Sequence, residues 1–148
     1  MVATAHAIVG GAIVSSVPDP VLGLAIATLS HPVLDMVPHW DLGRNWTKKN
    51  KLTLAIQSLA DLFLGFIATY LIFYNSNIPV WYFWSAVFLS TGWDVATGPY
   101  MLFKWRFPPF SWLYKFQSRI QSDTDFKTGM LIQGIFVAGV VVLVKFFL

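Results

Sequence analysis

Residues 52–74 read LTLAIQSLADLFLGFIATYLIFY, and this apolar stretch decides the fold class. At a rise of about 1.5 Å per residue, it is long enough to cross the hydrocarbon core of a bilayer, which is about 30 Å thick. Residues 129–148, GMLIQGIFVAGVVVLVKFFL, are similarly long and even more apolar. Both stretches predict membrane-spanning α-helices.

The composition of the whole chain agrees with a lipid environment. Of its 148 residues, 56% are hydrophobic and only 11% are charged, which is too apolar for a soluble domain of this length. The absence of cysteine excludes disulfides, thiolate metal sites and a cysteine nucleophile. The net charge of +3 needs no nucleic-acid partner, because membrane proteins concentrate Lys and Arg in cytoplasmic loops. We therefore expect an integral membrane protein that does not bind nucleic acid.

Three further apolar segments complete the predicted bundle. Residues 79–103 begin with Pro79, which favours the first turn of a helix, and carry aromatic side chains typical of a membrane interface near that end. Residues 3–17 and 21–37 are shorter and are separated by Pro18-Asp19-Pro20, which cannot continue a helix, so we expect a helical hairpin or a re-entrant pair. The predicted fold is all-α: one domain, residues 1–148, forming a multi-pass transmembrane bundle of about five segments.

Residues 110–121 predict a different kind of helix. One side of it carries apolar side chains, and its basic residues lie elsewhere on the helix. The apolar set is Phe110, Leu113, Phe116 and Ile120. We expect an amphipathic helix lying on the membrane surface.

The loop charges predict the orientation. Residues 42–51 and 104–128 contain nine of the ten Lys and Arg residues, whereas the loops at 18–20 and 75–78 contain none. Because basic loops stay on the cytoplasmic side, we expect the N-terminus inside and the C-terminus outside, in the cytoplasmic (inner) membrane.

The ionisable residues within the apolar segments are the candidate functional residues, since such groups are costly in lipid unless they are paired, hydrated or bound to a metal. Their depths, counted along each segment, all fall in the cytoplasmic half, so they can converge. His31 and Asp35 are four residues apart and share a helix face. The full set is His6, His31, Asp35, His39, Asp41, Asp61 and Asp94.

Imidazole and carboxylate groups contributed by several helices are typical of a divalent metal site in a helical bundle, with zinc the first expectation. The expected ligands are His6, His31, Asp35, His39 and Asp41. Asp61 or Asp94 would be a further ligand or the catalytic general base for a metal-activated water. The same residues could instead pair with one another and only hold helices together.

Two stretches resemble a known family. Thr4-Ala5-His6 and the SHPVLDMVP segment at 30–38 are similar to elements of the inner-membrane metal-dependent hydrolases of the YdjM-like group. The resemblance covers about the first forty residues and implies that His6, His31 and Asp35 bind a metal. Two other elements of that family, Pro-Asp-x-Asp-His and His-Arg-x-x-Thr-His-Ser, are absent here, so Asp61 and Asp94 would replace the missing ligands.

Three functions fit these features. The first is a membrane-embedded, metal-dependent hydrolase acting on a lipid or phosphoester at the cytoplasmic interface. The second is a small protein that conducts protons or cations through Asp61 and Asp94, with a homo-oligomer supplying further segments. The third is a non-catalytic membrane assembly factor whose polar residues join helices.

Overall fold

The structure, a computed structural model, describes all 148 residues and is entirely helical, with no β-strand. Its helices are α1 (Ala3–Ser16), α2 (Pro20–Asp35), α3 (Lys51–Phe73), α4 (Val80–Phe103), α5 (Phe110–Ile120) and α6 (Phe126–Phe147). A short 3-10 turn, Trp46–Lys48, lies between α2 and α3. The predicted all-α class is therefore confirmed.

Helix α1 lies at the centre and packs against α2, α3, α4 and α6. It is apolar around its whole circumference, and such a helix is normally buried on all sides. A Cβ on Gly10 would collide with the side chain of Ser90, and one on Gly11 would lie 2.9 Å from a ring carbon of Phe73. The two glycines therefore let α3 and α4 approach α1 closely.

A tight turn joins α1 to α2. Asp19 caps α2, because its Oδ1 accepts a hydrogen bond of 2.7 Å from the backbone N–H of Leu22, and Pro20 occupies the first turn. The 14 residues of α1 and the 16 of α2 extend only about 21 and 24 Å at 1.5 Å per residue. Both helices are thus shorter than a bilayer core.

Helices α3 and α6, with 23 and 22 residues, are the two that are long and apolar enough to cross a membrane. Only 17% and 6% of their most apolar windows are buried within the protein, so most of their Leu, Ile and Phe side chains face outward. Helix α4 has 24 residues but is not apolar enough to be counted with them. The structure therefore supports two membrane-crossing helices of the five segments expected.

Helix α5 forms close to its predicted range. Its buried residues are Ser111 and Gln117, whereas Phe116 is 46% exposed and Trp112 67% exposed. The side that faces α2 and α4 is therefore polar, and Gln117 contacts the carboxylates of Asp35 at the end of α2 and of Asp94 within α4. The apolar side chains face outward, and the location of this helix on a membrane surface stays a prediction.

Candidate metal centre

The last turn of α2 supplies two neighbouring side chains of the site. His31 and Asp35 are fully buried, and His31 Nε2 lies 3.4 Å from Asp35 Oδ2. The other ring nitrogen, His31 Nδ1, is 2.7 Å from the carbonyl oxygen of Ser90 on α4. Because a carbonyl oxygen only accepts, Nδ1 carries the proton in this contact, and Nε2 faces Asp35.

Helix α1 contributes His6, whose ring stacks on the His31 ring with centroids 3.7 Å apart. His6 Nε2 is 3.2 Å from Asp35 Oδ1, but neither ring nitrogen makes an aligned hydrogen bond although the side chain is fully buried. The amino group of Met1 is 2.5 Å from the same Asp35 oxygen. Asp35 is thus the point at which α1 and α2 meet.

Asp94 of α4 and Gln117 of α5 close the group. Asp94 Oδ1 lies 3.5 Å from His31 Nε2, and its side chain is 33% exposed. Gln117 Nε2 is 2.8 Å from Asp94 Oδ1, 3.2 Å from Asp35 Oδ2 and 3.3 Å from His31 Nε2. We call His6, His31, Asp35 and Asp94 the inner group; they come from α1, α2 and α4.

The geometry of the inner group fits a metal ion. Ligands about 2.1 Å from a tetrahedral ion lie about 3.4 Å from each other, close to the 3.2 to 3.5 Å contacts of this group. Donor atoms of His6, His31 and Asp94 all lie within 4.8 Å of one another. His6, His31 and Asp94 can therefore supply three ligands to one ion, with Asp35 beside them.

The orientation of the His31 ring is compatible with a cation in the same place. With its proton on Nδ1, a neutral His31 directs the lone pair of Nε2 towards the oxygens of Asp35 and Asp94, and the Gln117 amide contacts all three atoms. A cation bound to these atoms would take the position that the Gln117 amide nitrogen occupies. Donation of the second ring N–H to a backbone carbonyl is also the usual arrangement of a metal-bound histidine.

His39 and Asp41, two more of the predicted ligands, lie in a neighbouring set. Their donor atoms and one of Asp123 all lie within 4.8 Å of each other, and we call these three residues the outer group. His39 Nε2 is 3.9 Å from Asp35 Oδ1, so the two groups adjoin. Burial and the neighbouring Asp41 carboxylate raise the pKa of Asp123 above its usual value.

Asp61 is placed away from both groups. Its Oδ2 accepts a 2.6 Å hydrogen bond from the backbone N–H of Ala3, and its Oδ1 accepts a 2.6 Å hydrogen bond from the Thr4 hydroxyl. The structure therefore assigns Asp61 to the N-terminus of α1, where backbone N–H groups lack helical partners. This differs from the expected role of ligand or general base.

A cavity of about 590 Å³ opens beside the site. Polar groups reach it from both sets of ligands, including Asp94 of the inner group and Asp41 and Asp123 of the outer group. Leucine, valine and methionine side chains from α3 and α4 line other parts of its wall. A substrate that combines a charged group with an apolar chain would fit such a cavity.

The sequence interpretation missed Asp123, Gln117, Gln121 and Arg44. Gln117 and Gln121 are four residues apart on the chain, the same spacing as His31 and Asp35, and this was the available signal. No sequence spacing of this kind identifies Asp123. Backbone pairing between two loops places it beside His39, and this pairing cannot be seen in the sequence. No protein-family model, no curated protein and no solved structure matches the chain significantly.

Proposed function

We propose that the chain is a multi-pass integral protein of the cytoplasmic (inner) membrane and a metal-dependent hydrolase. The outward-facing apolar side chains of α3 and α6 support the membrane assignment, since an aqueous protein would bury such surfaces. The inner and outer groups lie next to the two basic loops, 42–51 and 104–128, which belong on the cytoplasmic side. The site would then face the cytoplasmic headgroup region.

The observation that carries the hydrolase proposal is the meeting of His6, His31 and Asp94 around Asp35, beside an open cavity. A divalent cation bound there would act as a Lewis acid and activate a water molecule to attack the substrate. Zn²⁺ is the cation that we expect first. Asp94 is part-exposed, so it can act as a ligand and contact a water molecule from the cavity. This proposal agrees with the resemblance of His6, His31 and Asp35 to the YdjM-like hydrolases.

Arg44 favours a phosphoester as the substrate. Its Nη1 atom is buried without a hydrogen-bond partner, and the residue lines the same cavity as Asp94. A guanidinium nitrogen buried without a partner is unfavourable, and phosphate oxygens are its preferred acceptors. We therefore propose a phosphoester with an apolar chain, such as a phospholipid or a related membrane lipid.

Metal analysis of the purified full-length protein tests this proposal. We expect stoichiometric Zn²⁺, Mn²⁺ or Fe²⁺ in the wild type and in Asp125→Asn, which changes an exposed carboxylate outside the site. His31→Ala and Asp94→Asn should lose the metal and hydrolysis of a fluorescent phospholipid in detergent micelles. A wild-type protein that binds no divalent metal after reconstitution would refute the proposal.

The alternative function, conduction of protons or cations, requires Asp61 and Asp94 to lie on one conduction path. Both residues line the cavity. However, both oxygens of Asp61 accept hydrogen bonds from the start of α1, which leaves it poorly placed to exchange protons. Ion flux into liposomes that Asp61→Asn abolishes would favour conduction. Correct folding without metal, hydrolysis or flux would favour an assembly factor.

A further inference from the structure

The residue types of the inner group recur four residues further along the chain, just beyond the ends of α2 and α5. His31, Asp35 and His39 follow one another at intervals of four residues, and Gln117 and Gln121 do the same at α5. Gln117 Nε2 contacts His31 Nε2 and Gln121 Nε2 contacts His39 Nε2, each at 3.3 Å. Each glutamine also contacts a carboxylate of its own group, Asp94 or Asp41.

The orientation of His39 repeats that of His31. His39 is fully buried, and its Nδ1 lies 2.7 Å from the carbonyl oxygen of Val37, so Nδ1 is the protonated nitrogen in this contact. The lone pair of Nε2 then faces Asp35 Oδ1 and Asp41 Oδ2, both at 3.9 Å. The outer group thus directs an imidazole nitrogen and carboxylate oxygens towards one another as the inner group does, an arrangement that can accept a cation.

Backbone hydrogen bonds hold the outer group in place. The N–H of His39 donates to the Ser122 carbonyl at 3.0 Å, and the N–H of Thr124 donates to the His39 carbonyl at 2.8 Å. The N–H of Ser122 donates in turn to the carbonyl of Asp35 at 2.9 Å. Because these bonds fix the loop after α5 against the end of α2, the ligands need little rearrangement to bind an ion.

Asp35 connects the two groups through its two oxygens. Oδ2 is 3.4 Å from His31 Nε2, whereas Oδ1 is 3.2 Å from His6 Nε2 and 3.9 Å from His39 Nε2. The Met1 amino group, 2.5 Å from Oδ1, occupies a position that a cation bound to this oxygen would take over. We propose that the outer group binds a second divalent cation through His39, Asp41 and Asp123, and that Asp35 bridges this cation to the one in the inner group. The bridge rests on the proposed function, which supplies the first cation.

The ligand types indicate which cations would bind. One imidazole and three carboxylates, with Asp35 included, suit Mn²⁺, Fe²⁺ or Zn²⁺. Two such ions about 3.5 to 4 Å apart are the arrangement that phosphatases and nucleases use to stabilise the attacking and leaving oxygens. Both groups and Arg44 border one cavity, so a phosphoester could contact the two ions together.

Manganese binding to the metal-free full-length protein in detergent tests the second site. We expect two Mn²⁺ per chain in the wild type and in the control Asp125→Asn, with an electron paramagnetic resonance spectrum of a spin-coupled pair. Asp123→Asn should bind one Mn²⁺ with the signal of an isolated ion. Asp123 is exposed and lies in a loop, so this variant should fold. Asp41→Asn is the second variant, since its amide oxygen can still accept the backbone hydrogen bond from Arg44.

The possible stoichiometries separate the two proposals. Two coupled ions that become one in Asp123→Asn and Asp41→Asn would support the bridged pair. One ion in the wild type, unaffected by either variant, would overturn the second site and leave the proposed function standing. Two ions without spin coupling would overturn the bridge through Asp35. No bound ion would overturn both proposals.

Discussion

Asp61 and Asp94 are both aspartates in the middle of long helices, yet their surroundings differ. Asp61 lies beside the first turn of α1 and accepts hydrogen bonds from Ala3 and Thr4. Asp94 lies beside His31 and Gln117. The first arrangement stabilises a helix end, whereas the second leaves an oxygen free to bind a cation.

The pair allows a matched test of these two roles. Asp61→Asn keeps one acceptor oxygen and replaces the other with an amide donor, so it should lower the free energy of unfolding by about 1 kcal/mol, the usual net worth of one hydrogen bond, and leave bound metal unchanged. Asp94→Asn should keep the thermal stability of the metal-free protein and lose the metal. Thermal unfolding in detergent and metal analysis measure the two effects. Loss of metal from a fully stable Asp61→Asn protein would instead restore Asp61 as a ligand.

Arg44 provides a residue-scale test of the phosphoester proposal. Arg44→Gln removes the positive charge beside the cavity, so inorganic phosphate should inhibit the proposed hydrolase activity at least about tenfold more weakly. Lys48→Gln, which removes a charge from an exposed residue of the same loop, should leave the inhibition constant unchanged. Equal effects of the two substitutions would show that only the general charge of the loop matters.

The proximity of two side chains could be predicted from the sequence where both residues lie on the same helix. His31 and Asp35 share a face because they are four residues apart, and the structure places their side chains together. The surroundings of Asp61 could not be predicted this way, because its partners are backbone groups 57 and 58 residues away. Such contacts depend on which helices pack together. The hydrophobic periodicity of one segment does not predict its packing partners.

At the scale of elements, α5 shows what hydrophobic periodicity leaves out. The sequence predicts a surface helix with an apolar side, and the helix forms, but the apolar pattern does not identify Gln117, one of its two buried residues, as a contact with α2 and α4. Three polar atoms of the inner group surround its amide, so this contact satisfies groups that would otherwise be buried alone. Phe116 and Trp112 are left on the outside, where a membrane surface can cover them.

The start of α6 is a second element whose position affects the site. A Cβ on Gly129 would lie 2.7 Å from the backbone carbon of His39 and 2.8 Å from Trp40 Cβ. Backbone atoms cannot move aside as a side chain can, so Gly129→Ala must push α6 away from the outer group.

Substitution of Gly129 should therefore reduce stability and disturb the second cation site. Gly129→Ala should lower the free energy of unfolding by about 1 to 3 kcal/mol, the usual cost of overpacking, and weaken binding of the second Mn²⁺. Gly134→Ala is the matched control, because nothing lies within 4 Å of its Cβ position and alanine favours the helix. Thermal unfolding and Mn²⁺ titration would contradict the packing argument if both variants behaved alike.

For the whole molecule, the helical class and the approximate ranges of the helices follow from local sequence. The apolar runs and the prolines at 18, 20 and 79 mark the helix ends. The arrangement of the helices does not follow in the same way. The sequence predicts helix α1 only as part of a hairpin or re-entrant pair, whereas the structure places it at the centre, where its apolar surface is covered by other helices.

Membrane topology is the whole-molecule property on which the proposed site depends, and the natural absence of cysteine makes it directly measurable. Asn77→Cys and Lys48→Cys place single thiols at exposed residues of the short loop before α4 and the basic loop before α3. If α3 crosses the membrane with basic loops inside, a membrane-impermeant maleimide should label Asn77→Cys in intact cells, whereas Lys48→Cys should react only after permeabilisation. The reverse pattern would place both metal groups outside the cell, and labelling of both thiols in intact cells would show that α3 does not cross the membrane.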